Sequence, residues 1–286
     1  MKIAFFGTGL LGGPMAMHLL QEGHTLVVYN RTRRKTAALE MKGAKAVARP
    51  EEAMEQADIF ITMLTDYLAI EAVILSENPR KFKGKTWFQM STISPVESLL
   101  LKHQFEEAGG EYIEAPVLGS TPQVAAKALI ILFGGMEPQY KKWAGFLRVF
   151  GEKVIRMGNV GQASAAKLAL NQLIASLTSA FSLSLGYCRE RGVNIRRFME
   201  ILRSSALYAS TFDKKLERMI KRDYTNPNFP VKHMLKDVEL MLTEFSVKGL
   251  DTSHLEGVKK VLLKAIDNGD AEMDYSALYN AIHPIS

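Results

Sequence analysis

Lys2-Ile3-Ala4-Phe5-Phe6-Gly7-Thr8-Gly9-Leu10-Leu11-Gly12 opens the chain. A short apolar run, Lys2–Phe6, leads into Gly-x-Gly-x-x-Gly, and a helix-like segment, Pro14–Gln21, follows. In this strand–turn–helix setting each glycine has a physical task. Gly7 permits the tight turn, Gly9 lets the backbone approach a pyrophosphate, and Gly12 lets helix and strand pack closely. The helix N-terminus adds free N–H groups and a partial positive charge. With Thr8, Leu10 and Leu11 completing it, the loop is expected to bind a dinucleotide.

Outward from this loop, apolar runs alternate with helical patterns. Thr25–Tyr29, Ala44–Ala48, Asp58–Leu64, Trp87–Met90, Glu111–Ile113, Leu129–Phe133 and Lys153–Arg156 read as strands, and Arg34–Lys42 and Glu51–Gln56 as helices between them. Such alternation predicts a parallel sheet covered by helices on both faces. Beyond Gly161 the pattern turns helical: Ala163–Arg191, Asn194–Leu202, a helix with Leu235, Val238, Met241, Leu242 and Phe245 on one face, and His254–Asn268. An Asn- and Pro-rich loop, Tyr224–Pro230, interrupts them. The expected fold is α/β: a doubly wound Rossmann domain over 1–162, then an all-helical domain over 163–286 for substrate and oligomerisation. A long helix joins the two.

Composition narrows the function classes. The 286 residues carry 36 basic and 30 acidic side chains, a net charge of +6. The charges are mixed along the chain without long single-sign blocks, so nucleic acid is not an expected partner. The single cysteine, Cys188, excludes an intrachain disulfide framework and a multi-cysteine zinc site, and no metal is expected. Leu168–Cys188 holds no charge and is long enough to cross a bilayer, but Asn171, Gln172, Ser176, Thr178, Ser179, Ser182 and Ser184 interrupt it. A helix buried in protein is the reading, so no membrane partner is expected. More than one buried face on that helix predicts a homodimer or homotetramer. The N-terminus runs straight into a strand without signal-peptide architecture, and the expected location is cytoplasmic.

The end of the second strand selects the cofactor. An NAD site places Asp or Glu there for the ribose 2′-hydroxyl. This chain has Tyr29-Asn30-Arg31-Thr32 instead. Arg31 can face a 2′-phosphate with its planar fork, Thr32 adds a hydroxyl, and Arg33, Arg34 and Lys35 thicken the positive field. NADP(H) is therefore expected over NAD. A reaction that moves hydride also needs a proton handled. Lys167 is the last charge before the neutral helix, where it can lie partly buried and donate to a developing alkoxide. Asn171 follows one turn later on the same face. Lys232 and Lys236 also share a face, where they repel unless an anion intervenes, and Lys236 is preferred as a functional residue.

Gly158-Asn159-Val160-Gly161-Gln162-Ala163-Ser164-Ala165-Ala166-Lys167-Leu168-Ala169-Leu170-Asn171 resembles the G-x-x-G-x-G-x-x-x-K-x-x-x-N pattern of the β-hydroxyacid dehydrogenase family. Gly7–Met15 resembles its cofactor loop, Met63-Leu64-Thr65-Asp66 its adenosine-side loop and Met90–Pro95 its nicotinamide-side turn. Glu114–Ser120 resembles its substrate loop and Phe229–Asp237 its C-terminal motif. The resemblance spans nearly the whole chain and is closest to NADPH-dependent glyoxylate and succinic semialdehyde reductases. It implies a 6-phosphogluconate dehydrogenase-like fold, with Lys167 as proton donor and Asn171 beside it. It further implies cofactor contacts from Asn30, Met63, Leu64, Thr92 and Lys236. A substrate carboxylate would lie on Leu118, Gly119 and Ser120, where backbone N–H groups of Gly119 and Ser120 can grip it, with Phe229 and Asp237 closing the site.

Three positions depart from the family pattern: its glycine before the lysine is Ala163, its loop serine is Leu118, and its leading aspartate is Glu114. The expected activity is NADPH-dependent reduction of a small aldehyde or oxo acid that carries a carboxylate. The alternatives are a 3-hydroxyisobutyrate-type dehydrogenase, an imine reductase, which Lys167 disfavours, and a non-catalytic NADP-binding sensor or assembly subunit.

Overall fold

The computed structural model describes residues 1–75 and 79–285. The chain divides into two compact units, Met1–Lys167 and Leu168–Ser286. The division falls inside one helix, five residues beyond the expected boundary at 162, and the last residue, Ser286, lies outside the described residues.

The first unit is built on strands β1 (Lys2–Phe6), β2 (Thr25–Tyr29), β3 (Lys45–Ala46), β4 (Ile59–Thr62), β5 (Thr86–Gln89), β6 (Glu111–Glu114), β7 (Val117–Leu118), β8 (Ile130–Gly134) and β9 (Lys153–Gly158). The order β3-β2-β1-β4-β5-β6 is parallel throughout. β8 then runs antiparallel to β6 and β7, and β9 runs parallel to β8. The order reverses between β1 and β4, the place where open α/β sheets bind ligands at the carboxyl ends of their strands.

Helices α1 (Gly12–Gln21), α2 (Ala37–Glu40), α3 (Pro50–Gln56), α4 (Tyr67–Ile70), α5 (Pro95–Glu107), α6 (Thr121–Ala125) and α7 (Glu137–Leu147) complete this unit. Both sheet faces are covered, so β1 sends Ile3 and Phe5 into one core cluster and Ala4 and Phe6 into the other. That is why its sequence is a continuous apolar run rather than an alternation. The expected helix 34–42 is instead a 3₁₀ turn, Arg33–Thr36, followed by the short α2.

Helix α8 (Gln162–Glu190) leads into the second unit, which holds α9 (Ile195–Arg203), α10 (Ser210–Lys221), α11 (Val231–Val247), α12 (Ser253–Asp267) and α13 (Leu278–Ile282). α8 is long and apolar enough to cross a membrane by length and composition. Among its buried positions, Leu168, Asn171, Ala175, Thr178, Ser182 and Leu185 fall at spacings of three and four along one stripe of the helix, with Lys167 and Phe181 buried beside them. The hydroxyls of Thr178 and Ser182 turn back onto the carbonyls of Ile174 and Thr178 at 2.8 Å. Two clusters fill the unit, one centred on α11 and α12 and one around Phe181, Phe212 and Tyr279.

Candidate active site

The loops after β1, β2, β4, β5 and β6 stand at the carboxyl edge of the sheet, and they carry the expected cofactor residues. Gly7 has φ +96°, and a Cβ there would lie 2.3 Å from the Met63 carbonyl oxygen. A Cβ on Gly12 would lie 1.9 Å from the Gly7 carbonyl oxygen. These two glycines are required by the protein's own packing. Gly9 differs: no atom lies within 4 Å of its Cβ position. The loop thus leaves open space at Gly9, beside the start of α1. That helix has no side-chain cap and no acidic residue in its first turn. Uncapped amides and a clear approach are what a pyrophosphate requires, so the residues present fit a dinucleotide.

Thr8 and Asn30 brace this loop. The Thr8 amide donates to Asn30 Oδ1 at 3.0 Å, and Asn30 Nδ2 donates to the Thr32 carbonyl at 2.9 Å. The Thr8 hydroxyl donates to the Lys35 carbonyl at 3.2 Å. The basic cluster is less uniform than its sequence suggests. Arg33 is bound to Glu40, with Nη2 to Oε2 at 2.6 Å, and hydrogen bonds from Arg33 and Thr36 hold the Glu40 carboxyl down to about 2. Arg33 therefore adds little free charge. Arg31 is exposed, and no hydrogen bond or ion pair engages it among the described residues.

Met63 and Leu64 are tied to their neighbours through the backbone. The Met63 amide donates to the Phe6 carbonyl at 2.9 Å, and the Leu64 amide donates to Ser91 Oγ at 2.8 Å. Ser91 in turn accepts from Gln89 Nε2 at its carbonyl, at 3.1 Å, which sets the turn carrying the half-buried Thr92. The sequence marks Ser91 only as part of the nicotinamide-side turn and offers for Gln89 no signal beyond a polar residue at the end of a buried strand.

In the substrate loop, Leu118 pairs with Ile130 on β8 and is half-buried. Gly119 has φ +141°, and a Cβ there would meet Leu129 Cδ2 at 2.6 Å, so any other residue would be strained and would displace Leu129. The Ser120 amide and hydroxyl both donate to Gln123 Oε1, at 3.0 and 2.9 Å. Ser120 is therefore engaged within its own helix cap, which narrows the expected anion grip to the Gly119 side of the loop. Lys167, the sixth residue of α8, is 8% exposed.

The second unit holds the remaining predicted residues. Buried Asn171 donates from Nδ2 to Asp237 Oδ2 at 2.7 Å, and Lys236 Nζ lies 2.6 Å from Asp237 Oδ1. Asp237 thus orients Asn171 and neutralises Lys236. Lys232 pairs with Glu272. Each of the two lysines has its own carboxylate, so their spacing does not call for an intervening anion. Phe229 stacks on His233 (6.3 Å between centroids, 16° between planes) and meets Tyr275 edge-on at 6.0 Å. Burial, with Lys232 and Lys236 adding to it, holds the His233 imidazole below its ordinary range, which favours a neutral packing ring.

A buried pair behind this segment was not foreseen. Lys215 Nζ lies 2.7 and 2.9 Å from the two oxygens of Asp274, and Asp274 Oδ2 accepts the Asn228 amide at 3.1 Å. The pair therefore anchors the residue next to Phe229. Among the described residues no group of three or more His, Cys, Asp or Glu is placed to hold a metal ion.

Comparison with known proteins bears on the fold and the family. Residues 2–158 match the model of the NAD binding domain of 6-phosphogluconate dehydrogenase. Residues 161–282 match the NAD-binding region of NADP-dependent 3-hydroxyisobutyrate dehydrogenase. The chain is 31% identical to glyoxylate/succinic semialdehyde reductase 2 of Arabidopsis thaliana, over 98% of this chain and 79% of that protein. It is 30% identical to 2-hydroxy-3-oxopropionate reductase of Escherichia coli, over 99% and 97% of the two chains. The solved structure of Mycobacterium tuberculosis 3-hydroxyisobutyrate dehydrogenase with L-serine shares the fold, with a TM-score of 0.85, 22% identity and 98% coverage of both chains. The chain belongs to the β-hydroxyacid dehydrogenase family and is an NAD(P)-dependent oxidoreductase acting on CH–OH groups.

Proposed function

We propose that the chain reduces a small semialdehyde or oxo acid with NADPH, as its glyoxylate/succinic semialdehyde reductase relative is named for, and that Lys167 is the proton donor. The observation that carries this reading is Lys167 itself. It is a buried lysine at the head of a helix whose next 21 residues hold no charge, four residues before Asn171. A group so placed gives a proton to a developing alkoxide and stabilises that charge away from bulk water.

When bound, the nicotinamide dinucleotide supplies the hydride. Gly9 and the α1 amides hold its pyrophosphate, and Arg31 and Thr32 hold the 2′-phosphate. Lys167 donates to the substrate carbonyl oxygen as it becomes an alcohol and is reprotonated from solvent. Asn171 donates from Nδ2 to Asp237, which fixes its side chain one turn after Lys167 along α8. The Gly119 backbone receives the substrate carboxylate. The test follows NADPH consumption with glyoxylate, succinic semialdehyde, 2-hydroxy-3-oxopropionate and methylmalonate semialdehyde, with NADH in parallel. Turnover of one of these with NADPH preferred supports the reading. NADPH binding without turnover across the panel overturns it in favour of a binding module.

Arg31→Ala is expected to raise the NADPH KM about 10–100-fold and leave NADH nearly unchanged, since a charge-assisted hydrogen bond contributes about 1.5–3 kcal/mol. Equal effects on both cofactors would remove the 2′-phosphate assignment. Leu118 argues for a less polar substrate, as in the 3-hydroxyisobutyrate-type reading. Leu118→Ser is expected to shift kcat/KM toward glyoxylate over branched semialdehydes by about tenfold, the scale of one apolar contact. An unchanged ratio would place Leu118 outside the substrate pocket.

A further inference from the structure

Glu114 lies at the end of β6, is 0% exposed, and belongs to the first unit together with the start of α8. Its Oε2 accepts the amides of Gly161 at 3.0 Å and Ala163 at 3.1 Å, and its Oε1 accepts the Ser164 hydroxyl. The Ala163 amide is one of the first-turn donors that a helix leaves without partners, and Gly161 is the residue just before the helix. Locally, α8 cannot satisfy them: the residue before Gln162 is Gly161, which has no side chain to cap with. The cap comes instead from a strand about fifty residues earlier in the chain.

The space for it is prepared. A Cβ on Gly134, the β8 partner of Glu114, would lie 2.2 Å from Glu114 Oε2. Burial pushes the Glu114 carboxyl above its ordinary range, against the pull of the Ser164 hydroxyl and the helix amides. A carboxylate so confined is held on several sides and transmits its position.

Ala163 and Lys167 are four residues apart, so they share a face of α8 about one turn apart. We propose that Glu114 is a positioning residue, which sets the axial place of Lys167 by fixing the start of α8 to the end of β6. This inference rests on Lys167 as proton donor. It also gives a physical meaning to two departures from the family pattern, Glu114 for aspartate and Ala163 for glycine, because the two residues share one hydrogen bond. Glutamate reaches about 1.5 Å farther than aspartate, one carbon–carbon bond. Glu114→Asp therefore draws the carboxylate back by that length, and a glycine at 163 would let the helix start follow it.

The test is steady-state kinetics of Glu114→Gln, Glu114→Asp, Ser164→Ala and the double variant Glu114→Asp/Ala163→Gly, on the best substrate of the panel. Lys167→Ala runs beside them, and NADPH binding is read by fluorescence. Glu114→Gln and Glu114→Asp are expected to lower kcat about 10–100-fold, the effect of an ångström-scale misplacement. Substrate KM and NADPH affinity should stay within about threefold of wild type, since the glycine loop, Arg31 and the Gly119 loop do not lie on α8. The double variant is expected to regain kcat over Glu114→Asp. Ser164→Ala, which keeps the carboxylate and both amide bonds, decides the matter should the Glu114 variants not fold: it should lower kcat alone, about threefold or more. Wild-type kcat in Ser164→Ala and Glu114→Gln beside an inactive Lys167→Ala overturns the positioning role alone. KM and NADPH affinity worsening in step with kcat, with no gain in the double variant, reduces Glu114 to a structural cap. Wild-type kcat in Lys167→Ala overturns the proton-donor reading and this inference with it.

Discussion

Replacing Lys167 by alanine is expected to cut kcat by roughly 10²–10⁴, the usual contribution of a positioned acid. Cofactor binding should survive, because the glycine loop and Arg31 lie elsewhere on the sheet edge. Lys167→Arg should not restore the rate. A guanidinium keeps the charge but does not give up its proton in the accessible pH range, and its planar fork is wider than an ammonium. Single-turnover NADPH oxidation at saturating substrate measures the step directly. A rate within a few-fold of wild type in either variant would assign proton transfer to another group.

The largest effect on stability is expected from the Lys215–Asp274 pair. Lys215→Met leaves a buried carboxylate without its cation and should cost about 3–5 kcal/mol. The side chains of Lys215 and Asp274 are 6% and 0% exposed, and Lys215 Nζ also sits 4.2 Å from the Tyr275 ring centre, so little water can replace the lost partner. Removing both charges, as in Lys215→Met/Asp274→Leu, should recover much of the loss, because two buried charges are dehydrated at a cost that an apolar pair avoids. Urea unfolding of the three proteins is the measurement, and a single-variant loss below about 1 kcal/mol would contradict the buried-pair assignment.

The same pair sets an acid limit. Burial pushes the Asp274 carboxyl up, but Lys215 and the Ser276 donors outweigh it and hold it below the ordinary range. A carboxylate depressed on folding contributes stability that is present above its unfolded pKa of about 3.9 and lost as pH falls through the folded value. Unfolding midpoints should therefore drop below about pH 4, and less steeply in the double variant.

Phe229, Asn171, Lys236 and Asp237 were legible as residue types in a motif. Their arrangement was not: Asp237 serves both Asn171 and Lys236, across 66 residues in the first case. Helix α5, with Ser94 and Glu97 forming a reciprocal cap ahead of a proline at its first position, carries a complete local start signal, although the strand-and-helix reading left it unassigned. The 34–42 segment shows the reverse. Its composition suits a helix, but Arg33 and Thr36 are drawn onto Glu40 and the turn tightens to 3₁₀.

What the sequence by itself determined is whatever depends on neighbours along the chain. That includes the glycine loop between strand and helix, the alternation that makes a parallel sheet, the neutral run behind Lys167, and the missing acid after β2. Only the tertiary structure decided which polar groups meet. Glu114 caps a helix about fifty residues away, Asn30 holds the Thr8 amide, Lys215 finds Asp274, and Arg33 is neutralised while Arg31 stays available. Backbone propensity and hydrophobic period are local properties. The free energy of a buried charge depends on the partner that the fold places beside it, and no spacing along the chain encodes that partner.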